Sequence, residues 1–166
     1  MKIRLGFVSN SSSASYYVKI QGISLEDFLG TLLGEYSWKY FSKRDLDERL
    51  EERINLEEEY LAENTKLKKK TPLPEFFTTQ RKNHLEELKT KRQVLNNLNE
   101  NTIDLIKFGL EDYNITYSEG EDGVTLTDWT SMHNDYNDMN NLLKEITLYF
   151  LFETTHKIIA KMEHDY

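Results

Sequence analysis

Residues 16–33 read YYVKIQGISLEDFLGTLL, and two periodicities meet inside them. Tyr16, Val18 and Ile20 alternate with Tyr17 and Lys19, the period-two signature of a half-buried strand. After Gly22, Ser24 stands where a helix N-cap is expected. Asp27, three residues on, completes a capping box with aspartate in place of the usual Glu or Gln. Phe28, Leu29, Leu32 and Leu33 then recur at helical spacing. A strand is thus delivered directly into a helix.

Toward the N-terminus, Ile3, Leu5 and Phe7 alternate with Lys2, Arg4 and Gly6, which predicts a further strand. Between the two alternating runs lies SNSSSAS at residues 9–15, so the tract reads as the connection of a hairpin or a wide loop. Toward the C-terminus, Ile115 and Tyr117 lead into Ser-Glu-Gly-Glu-Asp-Gly, and Val124, Leu126 and Trp129 follow. Asp122-Gly123 between alternating runs is a hairpin signal, because glycine takes the positive φ that tight turns need. A helix is predicted over 135–152, with Met139, Leu142, Leu143, Ile146, Tyr149 and Phe150 on its apolar side. A last strand is predicted over 157–163, through Ile158, Ile159, Ala160 and Met162.

From about residue 43 to 107 the composition changes to Glu, Lys, Arg, Leu and Asn. Leu46, Leu50, Ile54 and Leu61 mark one helical stripe; Leu88, Leu95, Leu98 and Leu105 mark another. Lys-Lys-Lys-Thr-Pro-Leu-Pro at 68–74 holds both prolines of the chain, and proline cannot continue a helix. The economical reading is an antiparallel helical hairpin, an arm whose seam is broken by Arg81, His84, Lys91 and Thr102. The expected domains are an α+β core of 1–42 with 108–166 and an inserted arm of 43–107. From residue 16 onward the order is strand, helix with inserted arm, strand, strand, helix, strand. That is the ferredoxin-like order of an antiparallel sheet, here with an extra N-terminal strand.

Composition bounds the chemistry. The chain has 166 residues, 12% aromatics, no cysteine and a net charge of −8. One domain, or one domain with an insertion, fits that length. The absence of cysteine removes disulfides, thiolate chemistry and cysteine-ligated zinc. The first 22 residues carry Lys2, Arg4 and Lys19 without an acid, whereas twelve acids face Lys144, Lys157 and Lys161 from Glu111 onward. An acidic balance opposes phosphate-backbone binding, so nucleic acid is not the expected partner. Only a short apolar run follows Lys2 and Arg4, and no stretch approaches a membrane span. No signal peptide and no membrane partner are expected, and a cytoplasmic location follows.

Catalytic and metal motifs are missing. There is no Gly-rich phosphate loop, no His-Glu-x-x-His and no Gly-x-Ser-x-Gly. His133, Asp135 and Asp138 fall within six residues, but helix capping by Asn134 and Asp135 accounts for the same letters. His156 and His164 are expected on one face of the last strand, at a solvated edge. No catalytic residue, metal or cofactor is assigned. The serine tract remains. It offers hydroxyls and backbone N–H groups beside Arg4 and Lys19, an arrangement suited to an anion or to modification of a serine; a polar turn that satisfies its own backbone is the plainer account. Arg4, Ser9, Asn10, Ser11, Ser12, Ser13 and Ser15 are the candidate binding residues.

The opening Met1-Lys2-Ile3-Arg4-Leu5-Gly6-Phe7-Val8-Ser9-Asn10-Ser11-Ser12-Ser13-Ala14-Ser15-Tyr16 resembles the start of a scattered set of small bacteriophage and bacterial proteins. Those typically run Met-Lys-x-Arg-x-Gly-Phe-Val-Ser-Asn-Ser-Ser-Ser-Ser-Ser-Phe; here Ala14 replaces a serine and Tyr16 the phenylalanine. The resemblance covers about residues 1–18 of 166 and implies a phage or mobile-element origin without implying an activity. Three functions follow as expectations. The first is a non-catalytic phage accessory protein that binds a host protein, in host takeover or anti-defence, through its acidic face or its arm. The second is a virion or assembly component whose arm clasps neighbours or makes a homo-oligomer. The third is an enzyme that uses the serine loop.

Overall fold

The computed structural model describes residues 14–36, 39–67, 75–130 and 141–164. In order these form β1 (Ala14–Gln21), α1 (Leu25–Glu35), α2 (Lys43–Leu67), α3 (Glu75–Asn96), α4 (Ile103–Asp112), β2 (Ile115–Gly120), β3 (Gly123–Thr130), α5 (Asn141–Phe152) and β4 (Ile158–His164). The fold is α+β, with one four-stranded sheet in the order β2-β3-β1-β4, every neighbouring pair antiparallel. Contacts cluster into two units, Met1–Glu35 with Ile106–Tyr166, and Tyr36–Leu105.

In the first unit, alternation decides which face is covered. Val18 lies opposite Leu126 on one side and Ala160 on the other, and Ile20 opposite Val124 and Ile158. Val18, Ile20, Val124 and Leu126 are fully buried, while Tyr17 and Lys19 on the other face are partly exposed. The helices supply the matching layer. Phe28, Leu29 and Leu32 of α1 and Leu142, Leu143, Ile146 and Phe150 of α5 are buried, and the Phe28 and Phe150 rings sit 5.7 Å apart. Each such side chain contributes about 1.5–3 kcal/mol when removed from water. Thr147 is buried in the same layer, and its hydroxyl donates to the Leu143 carbonyl at 2.7 Å, so its polar atom is not stranded.

β1 is paired with β3 over 14–21 and with β4 over 14–20. It therefore has no free edge for a strand over 3–7, and a direct hairpin between those residues and 16–20 is not available. The expected strand itself lies outside the described residues, as does the first part of the helix expected over 135–152.

Capping follows the sequence in part. The Asp27 N–H donates to Ser24 Oγ at 3.1 Å, as the N-cap reading requires, but the Leu25 N–H donates to Glu119 Oε2 at 3.0 Å. An acid from β2 thus serves the start of α1, where the helix dipole favours negative charge. At the end of β1 the chain turns sharply. Gly22 has φ 77°, its N–H donates to the Asp122 carbonyl at 2.8 Å, and the Gln21 N–H donates to the Lys157 carbonyl at 2.9 Å. Lys19 reaches Asp122 at 2.7 Å, and that ammonium holds the exposed Asp122 carboxyl below its ordinary pKa.

The β2–β3 hairpin turns at Glu121-Asp122, with Gly123 opening β3 opposite Gly120. A Cβ on Gly123 would run into the Ile20 carbonyl oxygen and lie 2.9 Å from the Gln21 Cα, both backbone atoms of β1. Glycine at 123 is therefore a packing requirement between β3 and β1. Gly123→Ala is expected to lower stability by about 2 kcal/mol or more, which for a chain of this size is a fall in Tm of about 4–8 °C by calorimetry. An unchanged Tm would show that the two strands can separate at this point without cost.

Candidate functional site

The serine-tract candidates Arg4, Ser9, Asn10, Ser11, Ser12 and Ser13 lie outside the described residues, as do His133, Asn134, Asp135 and Asp138. Ser15 sits within β1, its backbone in register with Trp129 on β3 and Glu163 on β4. The tract thus leads into the central strand of the sheet. His156 precedes β4, so the same-face spacing of a strand does not relate it to His164. Its Nδ1 is 2.9 Å from the Gln21 carbonyl, and its ring packs near Phe150. This histidine ties the end of β1 to the start of β4. Among the described residues no group of three His, Cys, Asp or Glu side chains is placed to hold a metal ion. No described helix is long and apolar enough to cross a membrane.

The second unit carries the more distinctive surface. α2 and α3 run antiparallel, as two sets of cross-links show. Arg92 donates to both carboxylate oxygens of Asp47 at 2.8 and 3.1 Å, and Arg81 donates to Glu57 at 2.7 Å. The base of the hairpin is closed by reciprocal caps. The Lys43 N–H donates to Glu100 Oε1 at 2.9 Å, and Lys43 Nζ donates to the Asn96 carbonyl at 3.0 Å. The start of α2 and the end of α3 therefore satisfy each other's orphan backbone groups. Ser42 completes the N-cap of α2, its Oγ accepting from the Asp45 N–H at 3.1 Å.

The seam between the helices changes character along its length. Near the base it is apolar, with Leu46, Leu50 and Ile54 buried on α2 and Leu85, Leu88 and Leu95 on α3. Toward the 68–74 connection it is polar. Glu57 and Asn64 are buried, and Glu57 Oε2 and Thr78 Oγ1 are enclosed without a hydrogen-bond partner among the described residues. Buried polar atoms left in this state weaken a helix pair while fixing its register. The predicted second stripe also ends early. α3 stops at Asn96, Asn101 takes φ 56°, and Thr102 Oγ1 accepts from the Leu105 N–H at 3.3 Å. Thr102 is thus the N-cap of α4, and Leu105 belongs to that helix instead of continuing the arm.

Exposed apolar side chains gather at the polar end. Leu56 is 64% exposed, Phe76 65%, Phe77 53% and Tyr60 38%. The Phe76 and Phe77 rings meet edge to face at 5.8 Å. The Arg81 guanidinium lies over the Tyr60 ring at 4.2 Å while bonding Glu57. Sequence reasoning passed over these four residues because they fall off the apolar stripes. The available signal was the Phe76-Phe77 pair, which follows two prolines and precedes a charged helix face that it cannot help to bury. Comparison with protein-family models, with curated proteins and with solved structures finds no match for this chain.

The polar seam makes a stability prediction. Arg81→Leu alone leaves a buried carboxylate without its partner and is expected to cost about 1–3 kcal/mol. Glu57→Leu combined with Arg81→Leu is expected to restore or exceed wild-type stability, because a matched apolar layer replaces a half-satisfied one. Denaturant midpoints of the single and double variants check the sign. At the base, Arg92 holds the Asp47 carboxyl below its ordinary pKa, chiefly through its hydrogen bonds. The pair's contribution is therefore present above the ordinary carboxylate value and fades as pH falls through the lowered one. Asp47 and Arg92 side chains are each about a third exposed, so that contribution is no more than about 1 kcal/mol. Asp47→Asn is expected to flatten the fall of Tm below about pH 4 and to leave its slope near neutrality unchanged.

Proposed function

We propose that this chain is a non-catalytic binding protein that engages a protein partner through its helical hairpin. The observation that carries the reading is the exposure of Leu56, Tyr60, Phe76 and Phe77, large apolar side chains held in water on the helix pair, with the two phenylalanine rings in contact. Large exposed apolar side chains are characteristic anchors of an interface. The hairpin is an insertion into an α+β core of ferredoxin-like order. The order β2-β3-β1-β4 with uniformly antiparallel neighbours supports that arrangement. In this reading the core presents the hairpin, and the hairpin does the binding.

The resemblance of residues 1–16 to the start of bacteriophage proteins supports a phage origin, and a phage accessory protein finds its partner in the host cytoplasm. The partner is then a host protein, and the expected effect is interference with what that protein does. The test is affinity capture from bacterial lysate with the full chain against a Leu56→Ser/Phe76→Ser/Phe77→Ser variant of matched thermal stability. The expected result is a host protein retained in stoichiometric amount by the wild type and lost from the variant. Retention by both would move the interface off the hairpin. Detection of the chain as a stoichiometric component of purified particles would favour the assembly reading instead.

A further inference from the structure

Different forces hold the two ends of the hairpin seam. Over 43–54 and 85–96 the helices meet through Leu46, Leu50, Ile54, Leu85, Leu88 and Leu95, all buried, and the Lys43 caps and the bidentate Asp47–Arg92 pair close that end. Beyond Ile54 and Leu85, toward the 68–74 connection, the enclosed groups are polar. Glu57, Asn64 and the Thr78 hydroxyl lie inside, Glu57 Oε2 and Thr78 Oγ1 have no hydrogen-bond partner among the described residues, and Leu61 is only half-buried. The cross-links at this end include Arg81 to Glu57 at 2.7 Å, Arg81 over the Tyr60 ring, and Lys89 to Glu58 at 3.6 Å. Arg81, Lys89 and Glu58 are each close to half exposed, and water screens such pairs until they contribute little. The two ends therefore differ in kind. Burial of hydrocarbon closes one, while the other encloses polar atoms whose lost hydration is not fully replaced.

We propose that the hairpin is a two-stage device in which residues 57–64 and 78–84 open as one local unit while the base stays shut. Opening returns Glu57 Oε2 and Thr78 Oγ1 to water, which offsets part of its cost; separating the leucines of the base has no such offset. Two helical stretches this short are marginal in water once parted, so separation and melting of the backbone coincide. The boundary is set by chemistry and not by distance from a helix end. Glu57 lies about three turns inside the end of α2 at Leu67, whereas fraying is confined to the outermost residues. Tyr60 rides on the unit that opens, and Leu56 and Phe77 adjoin it, so these exposed side chains change their setting when it opens. The inference concerns the hairpin's own equilibrium and stands apart from the binding role.

The test is hydrogen exchange of the full chain, read amide by amide by NMR. After correction for intrinsic rates, the amides of 58–63 and 80–84 are expected to exchange at least about 100-fold faster than those of 48–54 and 86–94, with a step between Ile54 and Glu58. Exchange of the first group is expected to depend weakly on urea and that of the second steeply, since a local opening exposes little surface. Thr78→Val, which removes only the enclosed hydroxyl, is expected to slow the first group about threefold or more. Glu57→Leu with Arg81→Leu is expected to slow it at least about tenfold and to leave the second group within about twofold of wild type. Equal protection in the two groups overturns the inference, and so does a smooth decline toward Leu67, which is end fraying alone. A common urea slope overturns it as well, because the hairpin then opens as one piece. A step that survives undiminished in Thr78→Val and in the double variant removes the polar seam as its cause and overturns the inference on that ground. Should the double variant fail to fold, the wild-type step and the Thr78→Val rates decide.

Discussion

The double pairing of β1 is the constraint on which the α+β unit depends. A strand hydrogen-bonded on both edges must bury at least one face, and here Val18 and Ile20 meet Leu126, Val124, Ala160 and Ile158 across two ladders. A register slip of one residue on either side would send that whole row to the opposite face. α1 and α5 can cover the sheet because β1 fixes which face is apolar. The turn at Gly22, the Gly123 contact and the His156 link to Gln21 all secure the end of this strand.

The hairpin is organised on another principle. Its base is over-determined, with apolar layers, reciprocal caps and the bidentate Asp47–Arg92 pair. Its other end carries enclosed polar atoms and exposed rings. Stability is thus concentrated at one end of a helix pair and exposed apolar surface at the other. Such a gradient lets the polar end lose some internal packing without unseating the base.

Much of this was legible in the residues. The alternation in 16–20 and 115–126, the Ser24 cap, the Asp122-Gly123 turn and the leucine stripes around two prolines each carry a local physical signal, and each marks an element of the structure. What was not legible depends on partners distant in sequence. Glu119 serving the start of α1, Glu100 serving the start of α2 and Gln21 meeting His156 join residues 94, 57 and 135 positions apart. The false continuation of α3 through Leu98 to Leu105 has a different cause. Their spacing mimics a heptad, while the Asn and Thr residues between them break and restart the helix. The exposed phenylalanines were overlooked because a pattern search rewards burial.

The antiparallel ladder between β1 and β4 sets Ala14 opposite His164, and this has a consequence in time. During synthesis the central strand emerges before the hairpin and its final neighbour after it, with β3 arriving between. At about 5–20 residues per second, β1 waits several seconds with bare edges, while the hairpin, which clusters as a unit of its own over Tyr36–Leu105, can close as it leaves the ribosome. The nascent chain therefore carries a finished helical hairpin before it has a finished sheet. For that interval the Tyr-Tyr-Val-Lys-Ile segment has neither of its own partner strands to keep it out of mispairing.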